Sequence, residues 1–290
     1  KVENFELGKL NRTGESDYVV GGKGINISLL LKNIGKESKA LGFIAGFTGY
    51  FIKDELKKLG IESDFVETKG FTRINIKLTT DTETEINSQS SKVSAENIKE
   101  FFVTLEGLNS EDTVFLSGNI IPGMESDDFV KIAEKVKQKG AKLVVDSNKD
   151  MVLNTLKYKP FIVKPNEFEL GEMFGAKPNS VEDIKKYARK LQEMGAQNVL
   201  VSRGSKGAIL FTSTGEVLGA NIAKGKVVST IAAGDSMLAM FVAKYDETKD
   251  FKLSLQYASA AGGATSFSAG VGKKELIEEL LVQIKVEEVL

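Results

Sequence analysis

Thr113-Val114-Phe115-Leu116 is a short apolar run, and Lys142-Leu143-Val144-Val145-Asp146 is a second. Residues 127–138 between them read as a helix. Strand, helix, strand in that order is the unit that builds a parallel sheet, because parallel strands need a long, usually helical, crossover. Strands that are apolar almost throughout must be covered on both faces.

The alternation continues outward. A helix over 95–105 precedes the first of these strands. After the second come a short helix following Lys149, a strand at 161–163, helices over 167–174 and 181–193, and a strand at 198–201. Gly-bounded strands follow at 208–211 and 216–218, then helices over 235–244, 253–268 and 274–281. The pattern predicts an α/β fold, a three-layer α/β/α sandwich with a mostly parallel central sheet. Ligands in such sheets bind outside the carboxyl ends of the strands.

The first third of the chain is less regular. Residues 7–22 read as extended and turn-rich, 23–35 as a helix closed by Gly35, 40–43 as a buried strand, and 50–59 as a helix ended by Gly60. Residues 64–67 and 71–79 read as strands. Arg73-Ile74-Asn75-Ile76-Lys77-Leu78 alternates as a half-exposed strand does. Residues 82–86 alternate again, so a hairpin is expected to turn at Thr80-Asp81. The strands at 7–22 and 64–87 are expected to form a small separate sheet, a lid on one domain spanning 1–290. An exposed sheet edge invites pairing, so a homodimer through the lid is expected.

Composition narrows the chemistry. The 290 residues carry 39 basic and 40 acidic side chains, a net charge of −1, which points to no nucleic-acid partner. No apolar run approaches the roughly 18 residues that span a membrane, and a cytoplasmic enzyme is expected. The absence of Cys and His excludes thiolate nucleophiles, Ser–His pairs and His- or Cys-ligated zinc. Acid–base work then falls to Asp, Glu, Lys or Tyr, and any metal is expected to be a hard, oxygen-bound cation. The chain begins at Lys1 and enters a turn-rich region at once, so a further N-terminal stretch is expected ahead of it.

Several turns fall at strand ends. In Thr230-Ile231-Ala232-Ala233-Gly234-Asp235-Ser236, a β-prone Lys226-Val227-Val228 precedes a small-residue turn, and an apolar helical run follows. Amides at a helix N-terminus bind anions, and an Asp there can serve as a base. Asp235 can equally be a simple helix cap. Gly21-Gly22-Lys23-Gly24, with Asn26 two residues on, offers close backbone approach and a point charge. Arg73 can grip a phosphate, and Lys77 reads better as a solvated face. Ser117-Gly118-Asn119 follows a buried strand and can face a sugar. In Lys164-Pro165-Asn166-Glu167-Phe168-Glu169, Asn166 and Glu169 form either a capping box or a metal–phosphate site. Ser202-Arg203-Gly204-Ser205-Lys206-Gly207 is either a nucleotide loop or a Gly-rich hairpin.

Taken together, the GGKG-x-N of 21–26, the SGN of 117–119, the KPNExE of 164–169, the SRGxxG of 202–207 and the AGDS of 233–236 resemble the ribokinase-like (PfkB) family of carbohydrate kinases, in its order and at its distances. Residues 4–13 and Gly46-Phe47-Thr48-Gly49 resemble its hexose-phosphate branch. The resemblance implies an ATP-dependent, Mg²⁺-assisted phosphate transfer to a ketohexose phosphate, with fructose 1-phosphate expected and tagatose 6-phosphate the alternative. It implies Asp235 as the base and the amides of Ala232, Ala233, Gly234 and Asp235 as an anion hole. Gly22, Lys23, Asn26, Arg73 and Ser117 would meet the sugar phosphate. Lys164, Asn166, Ser202, Gly204, Gly207 and Gly234 would line the nucleotide, with Glu169 and Asn166 on the metal, partly through water.

Three departures stand out. Position 232 holds Ala where the family has Gly. The family's first strand, with an Asp that holds the sugar, has no counterpart. Ser88-Gln89-Ser90-Ser91 replaces a Gly-Pro-rich turn. A nucleotide- or sugar-phosphate-binding protein that has lost catalysis through Ala232 is therefore the alternative of another class.

Overall fold

The computed structural model describes all residues except 1, 3, 4, 15, 81, 82 and 290. In chain order the elements are α1 (Lys23–Asn33), β1 (Lys39–Ala45), α2 (Gly46–Lys58), β2 (Glu62–Thr68), β3 (Asn75–Thr79), β4 (Glu83–Asn87) and α3 (Ala95–Thr104). Then follow β5 (Thr113–Gly118), α4 (Ser126–Gln138), β6 (Lys142–Ser147), α5 (Lys149–Thr155), β7 (Ile162–Val163), α6 (Glu167–Met173) and α7 (Val181–Glu193). The chain ends with β8 (Asn198–Ser202), β9 (Ala208–Phe211), β10 (Val217–Ala220), α8 (Ala233–Thr248), α9 (Phe251–Ser266), α10 (Lys274–Leu280) and β11 (Val286–Glu288). These fall into two compact units. The smaller comprises residues 1–21, 41–104 and 121–124, and the larger comprises 22–40, 105–120 and 125–290.

The larger unit is built on a seven-stranded sheet of order β11-β10-β9-β8-β7-β6-β5. β5 through β8 are parallel, as the βα alternation dictates. The remaining three pairings are antiparallel, so the sheet is mixed, with β5 to β8 as its parallel part. The reason is local: β9 and β10 follow β8 without intervening α-helices, and short connections reverse a strand. α1, α8, α9 and α10 pack on one face, burying Val144, Ile162, Leu200 and Leu210. α4, α5, α6 and α7 contact the strands from the other face. None of the helices among the described residues is long and apolar enough to cross a membrane.

The smaller unit departs more from expectation. β2 pairs with β1, and the hairpin β3–β4 forms a second, separate two-stranded sheet. Its register sets Lys77 opposite Glu85, and their side chains form an ion pair, so Lys77 is the solvated-face residue anticipated. The expected turn at Thr80-Asp81 lies partly outside the described residues. The described residues of 7–22 form no strand; ahead of them the Glu6 backbone N–H and C=O are taken up by the Asn11 side chain, at 2.9 and 2.8 Å. Residues 71–74 do not join β3 either. The Phe71 amide donates to Ser91 Oγ at 2.7 Å and the Thr72 amide to the Ala45 carbonyl at 2.9 Å. Arg73 therefore lies just before the strand rather than on it.

The strand expected at 226–228 is also absent. Val228 and Ser229 donate instead to the Ser266 carbonyl at the end of α9, at 2.8 and 3.2 Å. That pins the approach to α8 against α9.

Gly207 is fixed by close packing. It has φ +85°, and a Cβ there would lie 2.0 Å from the Ala220 carbonyl oxygen on β10. Gly207→Ala is expected to lose about 2 kcal/mol or more in urea denaturation. A change below about 0.5 kcal/mol would contradict this placement.

Candidate active site

The turns after β6, β7 and β8 and the start of α8 lie in the larger unit. α8 begins at Ala233, with Ala232 as its N-cap at φ 61°, ψ 0°, the left-handed region. This is the conformation for which the family's Gly is suited. Ala adopts it at a cost of about 1 kcal/mol. The first i→i−4 bond of the helix runs from the Ser236 amide to the Ala232 carbonyl, at 2.8 Å. The Gly234 and Asp235 amides therefore stand ahead of the helical ladder, where N–H groups lack an intrahelical acceptor. The Ala233 amide turns back to the Thr230 carbonyl at a long 3.4 Å.

Asp235 is not the helix cap. It occupies the third helical position, is 8% exposed, and accepts a 2.7 Å hydrogen bond from Asn26 Nδ2 through Oδ2. Asn26 comes from the first turn of α1, which Gly22 opens at φ 116°. Asn26, expected beside the sugar phosphate, thus lies against the Asp235 carboxylate. Burial pushes the Asp235 carboxyl up and Asp146 adds to this. Asn26, Lys164 and Lys23 pull it down, and the balance lies above the usual carboxylate range.

Asp146, at the end of β6, was not singled out from the sequence. It is 1% exposed, accepts from Lys23 Nζ through Oδ1 at 2.8 Å, and has Lys164 Nζ 3.3 Å from Oδ2. Burial pushes its carboxyl up, but Lys164 and Lys23 outweigh burial and hold it below its ordinary value. Lys164 is likewise buried, which favours its neutral form. Asp146, Asp235 and Glu169 overcome that and keep it a cation. Its ammonium lies 3.1 Å from where a Cβ on Gly234 would stand, so it sits at the mouth of α8. The available signal was an acidic residue closing an apolar strand, since a buried charge demands a partner.

Ser117 is in register with Asp146 across β5 and β6. Its hydroxyl is buried without a hydrogen-bond partner among the described residues. Such orphans mark places where a ligand or water completes the bonding.

Asn166 and Glu169 form the capping box of α6, with both reciprocal bonds at 2.8 Å. One Glu169 oxygen is committed there and the other is left over. Among the described residues no group of three or more acidic side chains gathers as a metal cage. A single remaining carboxylate oxygen fits Mg²⁺ held mainly by phosphates and water. Ser202 bridges to Asn166 in parallel, extending β7 and β8. Arg203 and Lys206 both pair with Glu167, at 2.8 and 3.5 Å, tying the 202–207 loop to α6. Gly204 leaves open space around its Cα, whereas Gly207 is the packed glycine described above. Arg73 belongs to the smaller unit.

A family model described as pfkB family carbohydrate kinase matches residues 1–277. The chain belongs to that family. It is 44% identical over 285 residues to a 1-phosphofructokinase of Bacillus subtilis, covering 98% of this chain and 94% of that protein. It is 38% identical over 288 residues to a D-tagatose-1-phosphate kinase of Bacillus licheniformis, covering 98% and 94%. The fold matches phosphofructokinase-2 of Escherichia coli with a TM-score of 0.91, over 97% of this chain and 95% of that one, at 21% identity. The two tagatose-phosphate relatives are named for the 1-phosphate, whereas the alternative acceptor offered by the sequence was the 6-phosphate.

In this kinase, a raised carboxyl pKa has a consequence for stability. The folded protein holds the Asp235 proton to higher pH than the unfolded chain does. The stability it contributes is present below the ordinary carboxylate range and is lost as pH rises through the raised value. Asp235→Asn removes that loss. At pH 7 it is expected to unfold at the same temperature as the wild type or higher, by calorimetry; a clearly lower Tm would contradict the assignment.

Proposed function

We propose that this chain transfers the terminal phosphoryl group of ATP to the C6 hydroxyl of fructose 1-phosphate, giving the 1,6-bisphosphate and ADP. The observation that carries this reading is the buried Asp235 carboxylate at the start of α8, held by Asn26 through one oxygen. The Asn26 bond occupies Oδ2, so Oδ1 takes the proton of the acceptor hydroxyl as its oxygen attacks phosphorus. The bond from that phosphorus to the bridging oxygen breaks, and ADP leaves with the electron pair. The Gly234 and Asp235 amides and the Lys164 ammonium stabilise the charge on the moving group, and the site is set in advance of reaction. Ser117 meets the sugar, and Lys23 meets its phosphate. Mg²⁺, held by the phosphates with Glu169 and Asn166 partly through water, would neutralise charge on the nucleotide. ATP as donor suits a cytoplasmic enzyme.

Tagatose 1-phosphate is the second reading for the acceptor, because a kinase of that sugar is 38% identical. The two sugars differ only in configuration at C4. The hairpin β3–β4 is also the proposed contact of a homodimer. Ile76 and Ile86 face each other across its ladder and are both about half exposed, and an isolated two-stranded hairpin is marginal on its own.

An ADP-release assay over fructose 1-phosphate, tagatose 1-phosphate, fructose 6-phosphate and tagatose 6-phosphate tests the reading. The highest kcat/KM is expected with fructose 1-phosphate. Turnover with none of them, beside measurable ATP binding, would favour a binding protein that has lost catalysis. Asp235→Asn is expected to lower kcat about 10²–10⁴-fold with ATP affinity nearly unchanged.

A further inference from the structure

The transfer proposed above, on which this inference rests, gives the most buried carboxylate of the site no task. Asp146 closes β6 and is 1% exposed. Its two oxygens reach ammonium groups from separate parts of the fold, Lys23 of α1 at 2.8 Å and Lys164 after β7 at 3.3 Å. The Lys23 contact is a hydrogen bond. The Lys164 contact is an ion pair without hydrogen-bond alignment. Lys164 in turn lies against Gly234 at the mouth of α8. One carboxylate thus fixes the position of both cations.

An ammonium has three donors. Lys23 gives one to Asp146 and keeps about a third of its side chain exposed, leaving donors for an incoming anion. Asp235 faces Asn26 and Lys23 from α1, Asp146 from β6 and Lys164 after β7, while Glu169 of α6 acts on Lys164. The two lysines and the two aspartates balance to zero net charge. If Asp146 were neutral, Asp235 would be the nearest buried carboxylate left for Lys164. A lysine seated on the base would occupy the oxygen that must receive the proton.

We infer that Asp146 is a positioning residue for phosphoryl transfer: it holds Lys23 towards the acceptor's phosphate and Lys164 at the mouth of α8, and keeps both off Asp235. It touches no substrate and acts through the two lysines.

Asp146→Asn in the full chain tests this, with the wild type measured alongside on fructose 1-phosphate. The expected result is a kcat/KM lower by about tenfold to a hundredfold, the scale of a misplaced group. The acid limb of its pH profile should also move to lower pH, because a negative neighbour is lost and the cations close on the base. A purely structural role would lower the amount of folded enzyme and leave the limb in place. A folded variant with kcat/KM within about twofold of wild type and an unmoved limb overturns the inference. Should Asp146→Asn not fold, Asp146→Asn/Lys164→Met removes the buried ammonium together with its partner. Its KM for fructose 1-phosphate is expected to exceed that of Lys164→Met, since Lys23 has lost its anchor; equal values overturn the inference. A wild type inactive on every sugar phosphate removes the proposed function and this inference together. An active wild type with an indifferent Asp146→Asn removes the inference alone.

Discussion

The ion cluster of Asp146 with Lys23 and Lys164 is the constraint around which the rest of the site is arranged. Three buried or half-buried charges at the ends of α1, β6 and β7 must satisfy one another, because a buried charge left alone costs about 3–5 kcal/mol. Meeting that demand brings the N-terminus of α1 against the C-terminal ends of β6 and β7. It also brings Asn26 within 2.7 Å of Asp235. Burial and Asp146 push the carboxyl of the base up, while Asn26, Lys164 and Lys23 pull it down.

Ala232 illustrates how backbone energetics decide a question that residue identity leaves open. Relative to Gly, Ala in the left-handed region costs about 1 kcal/mol. The chain nonetheless takes φ 61° at this residue. The Gly234 and Asp235 amides that follow lie at the opening of α8. The Ser266 carbonyl supports this geometry from the other side by fixing Val228 and Ser229.

The sequence made the parallel half of the sheet and most helices legible, because each strand there is an apolar run separated from the next by a helical pattern. Residues 181–193 and 208–211 match α7 and β9 at both ends. The misses share a cause: backbone groups satisfied by partners outside a strand ladder. Val228 bonds to Ser266, Phe71 to Ser91, and the Glu6 backbone to the Asn11 side chain, and each bond removes a segment from the ladder its side chains suggested. Asp235, Lys23 and Asn26 stood out because they sit beside glycines at turns. Asp146 did not, since its meaning lies wholly in two lysines 123 residues before it and 18 residues after it. Capping and catalysis were both open for Asn166 and Glu169, and the capping box is formed.

The most direct measurement is a crystal structure of the chain with fructose 1-phosphate and a non-hydrolysable ATP analogue. The C6 hydroxyl should lie about 2.6–3.2 Å from Asp235 Oδ1, with the terminal phosphate at the mouth of α8. A sugar whose C6 hydroxyl faces away from Asp235, or a terminal phosphate seated elsewhere, would contradict the assignment of Asp235 as the base.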